Sequence, residues 1–159
     1  MVWKVINLGT FIFLQVRIVK PTLERLIKQG ETSSFYKLLN MKIEEVRDSY
    51  ARLSIRVEKK HIQFLETVHG GVVASLADSA AAWAVYGSSD LMGIPVTVEM
   101  KINFLKPVRS GKIVAEARNV HEGSRIFVSD VEVKNGKGDL VAKSLVTYYL
   151  LRDKGNKKS

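Results

Sequence analysis

The sequence predicts an α+β domain in which a curled antiparallel sheet wraps around one long central helix, with a helical extension at the N-terminus. Three observations carry this reading. Residues 70–88 form an apolar stretch of helical composition whose only charge is Asp78. A helix that is apolar on nearly every side has to be buried on nearly every side. Two segments before it and four after it alternate in polarity as strands do, with turn residues between them.

Residues 1–16, MVWKVINLGTFIFLQV, couple one lysine to an apolar run. They lack the small-residue cleavage pattern of a signal peptide and are too short and interrupted to span a membrane. They are expected to be an extra strand or helix, or to reflect a start codon placed too far upstream, within an N-terminal extension over 1–34. Pro21 is placed to open a helix over TLERLIKQG (22–30), in which Leu23, Leu26 and Ile27 are the apolar positions and Gly30 is the expected stop. SSFYKLLN (33–40) reads as a second short helical turn with a serine cap. Neither carries an obvious chemical group.

The main domain is expected over 35–152. MKIEEVRDS (41–49) is a weak strand and the hairpin partner of the next, where Ala51, Leu53, Ile55 and Val57 alternate with Arg52, Ser54, Arg56 and Glu58. KKHIQFLETV (59–68) is a mixed connector. The apolar helix follows, ended by Gly87 and serines. Val96, Val98, Met100, Ile102 and Phe104 then alternate with Thr97, Glu99, Lys101 and Asn103, and Pro107 closes that strand. KIVAEARNV (112–120), RIFVSDVEVK (125–134) and LVAKSLVTYYLL (140–151) complete the set. Short turns between successive strands imply an antiparallel sheet. Two strands, a buried helix and four more strands make the hot-dog arrangement.

The 159 residues suit one such domain. With no cysteine, disulfides, thiolate metal sites and cysteine nucleophiles are excluded. Three histidines, none close in sequence to another, give a metal site little support. The formal charge of +9 comes partly from a basic tail over 153–159 and is otherwise spread along the chain. It forms no dense block interleaved with aromatics, so nucleic acid is not the expected partner and an anionic small molecule is. No membrane role is expected, and the cytoplasm is the expected location.

Asp78 raises the functional question. At 100° per residue, Val73, Leu76, Ala80 and Trp83 fall on one side of the helix, and Asp78 falls opposite with Gly71, Ala74, Ser75, Ala81, Ala82 and Val85. The bulky stripe is expected to pack into the sheet. The small-residue face has too little polarity to meet water, so a second copy of the chain is the expected cover. A buried carboxylate recruits donors or is driven toward its neutral form, and the latter suits a general base working near neutrality. Alternatively Asp78 accepts bonds at a dimer seam and only fixes the packing.

His69-Gly70-Gly71 opens the helix. Helix N-termini present unpaired N–H groups and a positive dipole end, and two glycines there let a substrate oxygen approach without a Cβ in the way. That is how an oxyanion hole is built, although a tight turn into the helix would use the same glycines. Asp78 lies two turns up the axis, roughly 12 Å away, too far for one carbonyl to touch both within a chain. Antiparallel facing helices in a dimer would bring the hole of one chain near the acid of the other.

HGG at 69–71, LADSA at 76–80, VTVEMKINFLKPVRSGK at 96–112 and GDLVAKS at 138–144 together resemble hot-dog acyl-CoA thioesterases. The likeness is greatest to the phenylacetate-pathway thioesterases and the 4-hydroxybenzoyl-CoA thioesterases of the Arthrobacter type, and covers about residues 35–150. The resemblance implies that Asp78 is the general base or nucleophile and that the Gly70 N–H, with Gly71 beside it, polarises the thioester carbonyl. It also implies that His69 orients, that Gln63 places thioester or water, and that Thr97 holds the attacking water. Gln63 stands where Asn is commoner, and residues 1–34 have no clear family counterpart. Arg109, Lys112, Ser124 and Arg125 are candidate contacts for CoA phosphates, with ordinary solvated surface as the plainer reading of each.

The expected activity is hydrolysis of an acyl-CoA thioester by a homodimer, with dimers associating into a homotetramer. No cofactor is expected, CoA being part of the substrate. A non-catalytic acyl-CoA binding or sensing protein, a hydratase or dehydratase pairing His69 with Asp78, and a purely structural dimer module are the alternatives.

Overall fold

The computed structural model describes residues 2–7, 13–18, 22–88 and 93–152. Strands β1 (Val2–Asn7) and β2 (Phe13–Ile18) form an antiparallel hairpin. Helices α1 (Leu23–Thr32) and α2 (Ser34–Leu39) follow, then β3 (Met41–Arg47), β4 (Tyr50–Arg56), the long helix α3 (Gly70–Ser88), β5 (Gly93–Phe104), β6 (Lys112–Glu122), β7 (Ile126–Asn135) and β8 (Leu140–Arg152). Pro21, Ser89 and the basic tail over 153–159 lie outside the described residues.

Six strands form one antiparallel sheet in the order β3-β4-β6-β7-β8-β5. Its inner face follows from alternation. Leu53 and Ile55 of β4, Ile113, Ala115 and Ala117 of β6, Val131 and Val133 of β7, and Ala142, Val146 and Leu150 of β8 are fully or almost fully buried. They meet Val73, Leu76, Ala77, Ala80 and Ala84 of α3, which are buried as well. Alanines on both sides let the helix come close to the sheet, and larger residues fill the flanks. The buried Ser144 hydroxyl donates to Lys101 O at 2.9 Å and that of Ser129 to Asn119 Oδ1 at 2.7 Å, so these inner-face polar groups are paired, as burial requires.

Three expectations need correction. The strand after the helix does not pair with its successor. β5 is an edge strand beside β8, and residues 105–111 cross past the start of α3 instead of making a hairpin. Val68 N–H donates to Val108 O at 2.7 Å and Leu105 N–H to Val141 O at 2.8 Å, which pins this crossing. Second, α1 does not stop at Gly30 but runs to Thr32. Gly30 instead provides clearance, because a Cβ there would lie 2.6 Å from Cζ2 of Trp83. Third, Ala81 and Val85 are fully buried and are not part of an open face. The partly exposed stripe runs through Gly71, Ala74, Ser75, Asp78 and Ala82.

The other end of α3 is closed by backbone contact. A Cβ on Gly87 would lie 2.4 Å from Arg47 O, and main chain cannot swing aside as a flexible side chain does. Gly87→Ala is therefore expected to cost about 1–3 kcal/mol of stability, the usual penalty of overpacking, measured by chemical denaturation.

Candidate functional site

The site begins where the connector meets α3. His61 is buried, its Nδ1 accepts the Glu58 N–H at 3.1 Å, and its carbonyl accepts the His69 N–H at 2.9 Å. This anchors the chain entering the helix. His69 acts as the helix cap: its Nδ1 accepts the Gly71 N–H at 2.9 Å, and its carbonyl accepts from Val72 at 2.9 Å. A Cβ on Gly71 would stand 3.0 Å from that nitrogen, so glycine is what lets the ring close on the helix end. Gly70, the first helical residue, has no intrahelical acceptor, and its N–H makes no hydrogen bond among the described residues.

Gly70 lines a cleft of ≈ 370 Å³ together with Gln63, Val68, Val73, Phe104 and Val108. The Gln63 amide donates to Thr67 Oγ1 at 2.9 Å. Phe104 lies over Gly70, where a Cβ would be 3.4 Å from the ring. The cleft thus combines an apolar wall with one unengaged N–H at the positive end of a helix.

Asp78 does not line this cleft. It sits half-buried two turns further along α3, with Thr97 Oγ1 3.0 Å from its Oδ1 and Tyr148 Oη 2.7 Å from the same oxygen. The acid has thus recruited donors, one of the two outcomes expected for a carboxylate on this helix. Thr97 reaches it because β5 carries a bulge. The β5–β8 register slips between Thr97 and Glu99, leaving Val98 exposed and setting Thr97 opposite the inward-facing Tyr148. In a regular strand the alternation that sends Met100, Ile102 and Phe104 inward would send Thr97 outward. A bulge re-aims one side chain at the cost of one unpaired residue.

Tyr148 is the residue that sequence reasoning missed. Its signal was nonetheless present, since Ala142, Ser144, Val146, Tyr148 and Leu150 are the alternate, inward positions of the last strand. Burial, and then the charge of Asp78, push its phenol far above the ordinary tyrosine range. Tyr36 of α2 stands on the same side, its hydroxyl accepting from Trp83 Nε1 at 2.9 Å, and burial raises this phenol too.

The structure brings Gln63 and Gly70 together, and Thr97 and Asp78 together, but separates the two pairs along α3. It also separates the four basic and polar candidates. Arg109 and Lys112 lie at the start of β6, with Lys112 bridged to Glu44, and Ser124 and Arg125 lie beyond its far end. The length of β6, eleven residues counting Lys112 and about 35 Å at the usual rise, separates Lys112 from Ser124. Arg125 bonds to the Tyr149 hydroxyl, beside Tyr148 and so at the Asp78 end. Among the described residues, no three His, Cys, Asp or Glu side chains cluster as metal ligands would, and no helix is long and apolar enough to cross a membrane.

A thioesterase-superfamily model matches residues 65–142. A protein of Saccharolobus solfataricus named as a candidate esterase is 36% identical over 128 residues, covering 80% of this chain and 83% of its own. The chain belongs to the thioesterase superfamily. Within it, the 1,4-dihydroxy-2-naphthoyl-CoA hydrolase of Escherichia coli is 28% identical over 132 residues, covering 83% of this chain and 96% of its own. The solved structure of a Haemophilus influenzae thioesterase superposes with a TM-score of 0.75 at 26% identity, covering 82% of this chain and 91% of that one. The superfamily match spans α3 and strands β5, β6 and β7, and so includes Gly70, Asp78 and Thr97 while Gln63 and Tyr148 lie outside it.

His61 gives this thioesterase a pH-dependent hold on its helix start. Burial, with Lys60 nearby, pushes the imidazole below its ordinary pKa of 6.5, and Nε2 has no partner among the described residues. The unfolded chain then binds the proton first as pH falls, so stability is present above about 6.5 and is lost below it. The thermal midpoint is expected to drop between about pH 7 and pH 5, and His61→Gln is expected to flatten that drop.

Proposed function

We propose that the protein hydrolyses an acyl-CoA thioester to a carboxylic acid and CoA, in a site shared by two antiparallel chains. The observation that carries this reading is the division of labour along α3. One end holds an unengaged N–H beside an apolar cleft, and two turns on an anchored carboxylate faces the open stripe. In this reading the Gly70 N–H of one chain donates to the thioester carbonyl oxygen as charge develops on it. Asp78 of the facing chain takes a proton from water, whose oxygen attacks the carbonyl carbon. The C–S bond breaks, and the thiolate of CoA leaves with a proton. Attack by Asp78 itself, through an anhydride that water opens, gives the same products. Gln63 places the thioester, Thr97 holds Asp78, and Gly71 and His69 form the cap that keeps the helix end in place. Arg109, Lys112, Ser124 and Arg125 are the candidates for contact with the CoA phosphates.

The match to a CoA hydrolase supports the CoA thioester as the substrate class. Use of His69 Nδ1 as the helix cap weighs against a hydratase that pairs His69 with Asp78.

A panel of acyl-CoA substrates with released thiol as readout tests the activity. Asp78→Asn is expected to lower kcat by about 10²–10⁴, the usual contribution of a general base, with the fold and oligomer retained. Wild-type kcat in this variant on every substrate turned over would sink the mechanism.

Gly70→Pro tests the other half, because proline is tolerated at the first helical position and removes the N–H, with Gly70→Ala as the control for the Cβ added beside Phe104. It is expected to keep the helix by circular dichroism and to lower kcat by about 10²–10³. Mixing the two inactive variants under conditions that exchange subunits should restore activity that neither has alone. Failure to do so with exchange demonstrated would refute a shared site.

A further inference from the structure

We infer that Tyr148 is a positioning residue that holds Asp78 by Oδ1 and thereby makes Oδ2 the oxygen that meets water or the thioester. The inference rests on the proposed hydrolase reading and assigns a role within the same site. Tyr148 is 2% exposed, on the inner face of β8. Its hydroxyl oxygen lies 2.7 Å from Asp78 Oδ1 and 2.7 Å from the Asp78 backbone carbonyl. A single phenol thus spans the base of the side chain and one of its tips, which fixes the carboxyl's rotation. Thr97 adds a second contact to Oδ1 at 3.0 Å. Oδ2 has no hydrogen-bond partner among the described residues.

This division follows from the chemistry of carboxylates. Each oxygen accepts about two hydrogen bonds, and both hydroxyls near the carboxyl stand at Oδ1. The titratable groups placed against Asp78 are two phenols, Tyr148 from β8 and Tyr36 from α2, while β5 contributes the non-titrating Thr97. Burial keeps both phenols protonated through any ordinary assay pH. Tyr148 therefore always carries its O–H hydrogen, which Asp78 Oδ1 and the Asp78 carbonyl share at equal distance. Donation to an ionised group is among the stronger hydrogen bonds and favours that form.

The test combines kinetics with pH profiles. In Tyr148→Phe, kcat is expected to fall about 10- to 100-fold, as for loss of one hydrogen bond to a charged group. KM should change little, and the acid limb of the kcat profile should move up by about one pH unit. A residue that only fills the core would lower the melting temperature and leave the acid limb in place. Site-specific 3,5-difluorotyrosine at position 148 keeps the shape and strengthens the donor, so the acid limb should move to lower pH. This variant decides the matter if Tyr148→Phe does not fold. Folded Tyr148 variants with the wild-type limb and kcat would overturn the inference and leave the hydrolase reading intact. A wild-type protein that releases no thiol, or Asp78→Asn with the wild-type rate, would overturn both.

Discussion

The close approach of α3 to the inner face of the sheet is the constraint on which the rest of the molecule depends. It is set by alanines, with Ala77, Ala80, Ala81 and Ala84 on the helix facing Ala115, Ala117 and Ala142 on the strands, all without accessible surface. Dispersion between close-packed groups falls steeply with separation, and only short side chains permit main chains this near. The same nearness lets a tyrosine on β8 reach back to an acid on the helix. Longer side chains at the contact would push α3 outward and leave Asp78 beyond the reach of both hydroxyls.

That packing also explains how a helix with no charge except one carboxylate can carry it halfway into the protein. Ionised groups lose far more than neutral ones when water is removed, unless donors replace the water. Here two hydroxyls do so at one oxygen, and the open stripe near Ala74 and Ala82 leaves the other approachable. At the helix start the logic runs in reverse. His69 consumes the Gly71 N–H, and the capping turn consumes that of Val72, which leaves Gly70 as the unspent donor. In both places the reactive atom is the one left over after its neighbours have been satisfied.

Much of this was legible in the sequence. The bounds of α3 follow from its apolar run and from the glycines and serines at its ends, and most strands follow from simple alternation. Asp78 and the glycines stand out because each breaks a local pattern. What was illegible depends on contacts distant along the chain. The β5–β8 pairing joins strands separated by two others, and a short connection reads as a hairpin until the closing strand takes its place. Val85 lies on the wheel beside Asp78 yet is fully buried, because helical angle says nothing of what covers the far end of a helix. Tyr148 could be assigned to the inner face, but which helical residue it meets depends on where α3 crosses the sheet, 70 positions earlier in the chain.

The bulge at Val98 shows why pattern alone misassigns such a site. Read as a regular strand, 96–104 puts its valines inward and Thr97 in water, a satisfactory amphipathic solution. The structure gives up one buried valine and one ladder position instead. An exposed valine forgoes about 1–2 kcal/mol of burial, and an interrupted ladder loses part of a hydrogen bond. The arrangement adopted forgoes apolar burial, and in it Thr97 and Tyr148 converge on the same carboxylate oxygen. The register of β5 and the lone acid of the core helix, twenty residues apart in the chain, are thus fitted to one another.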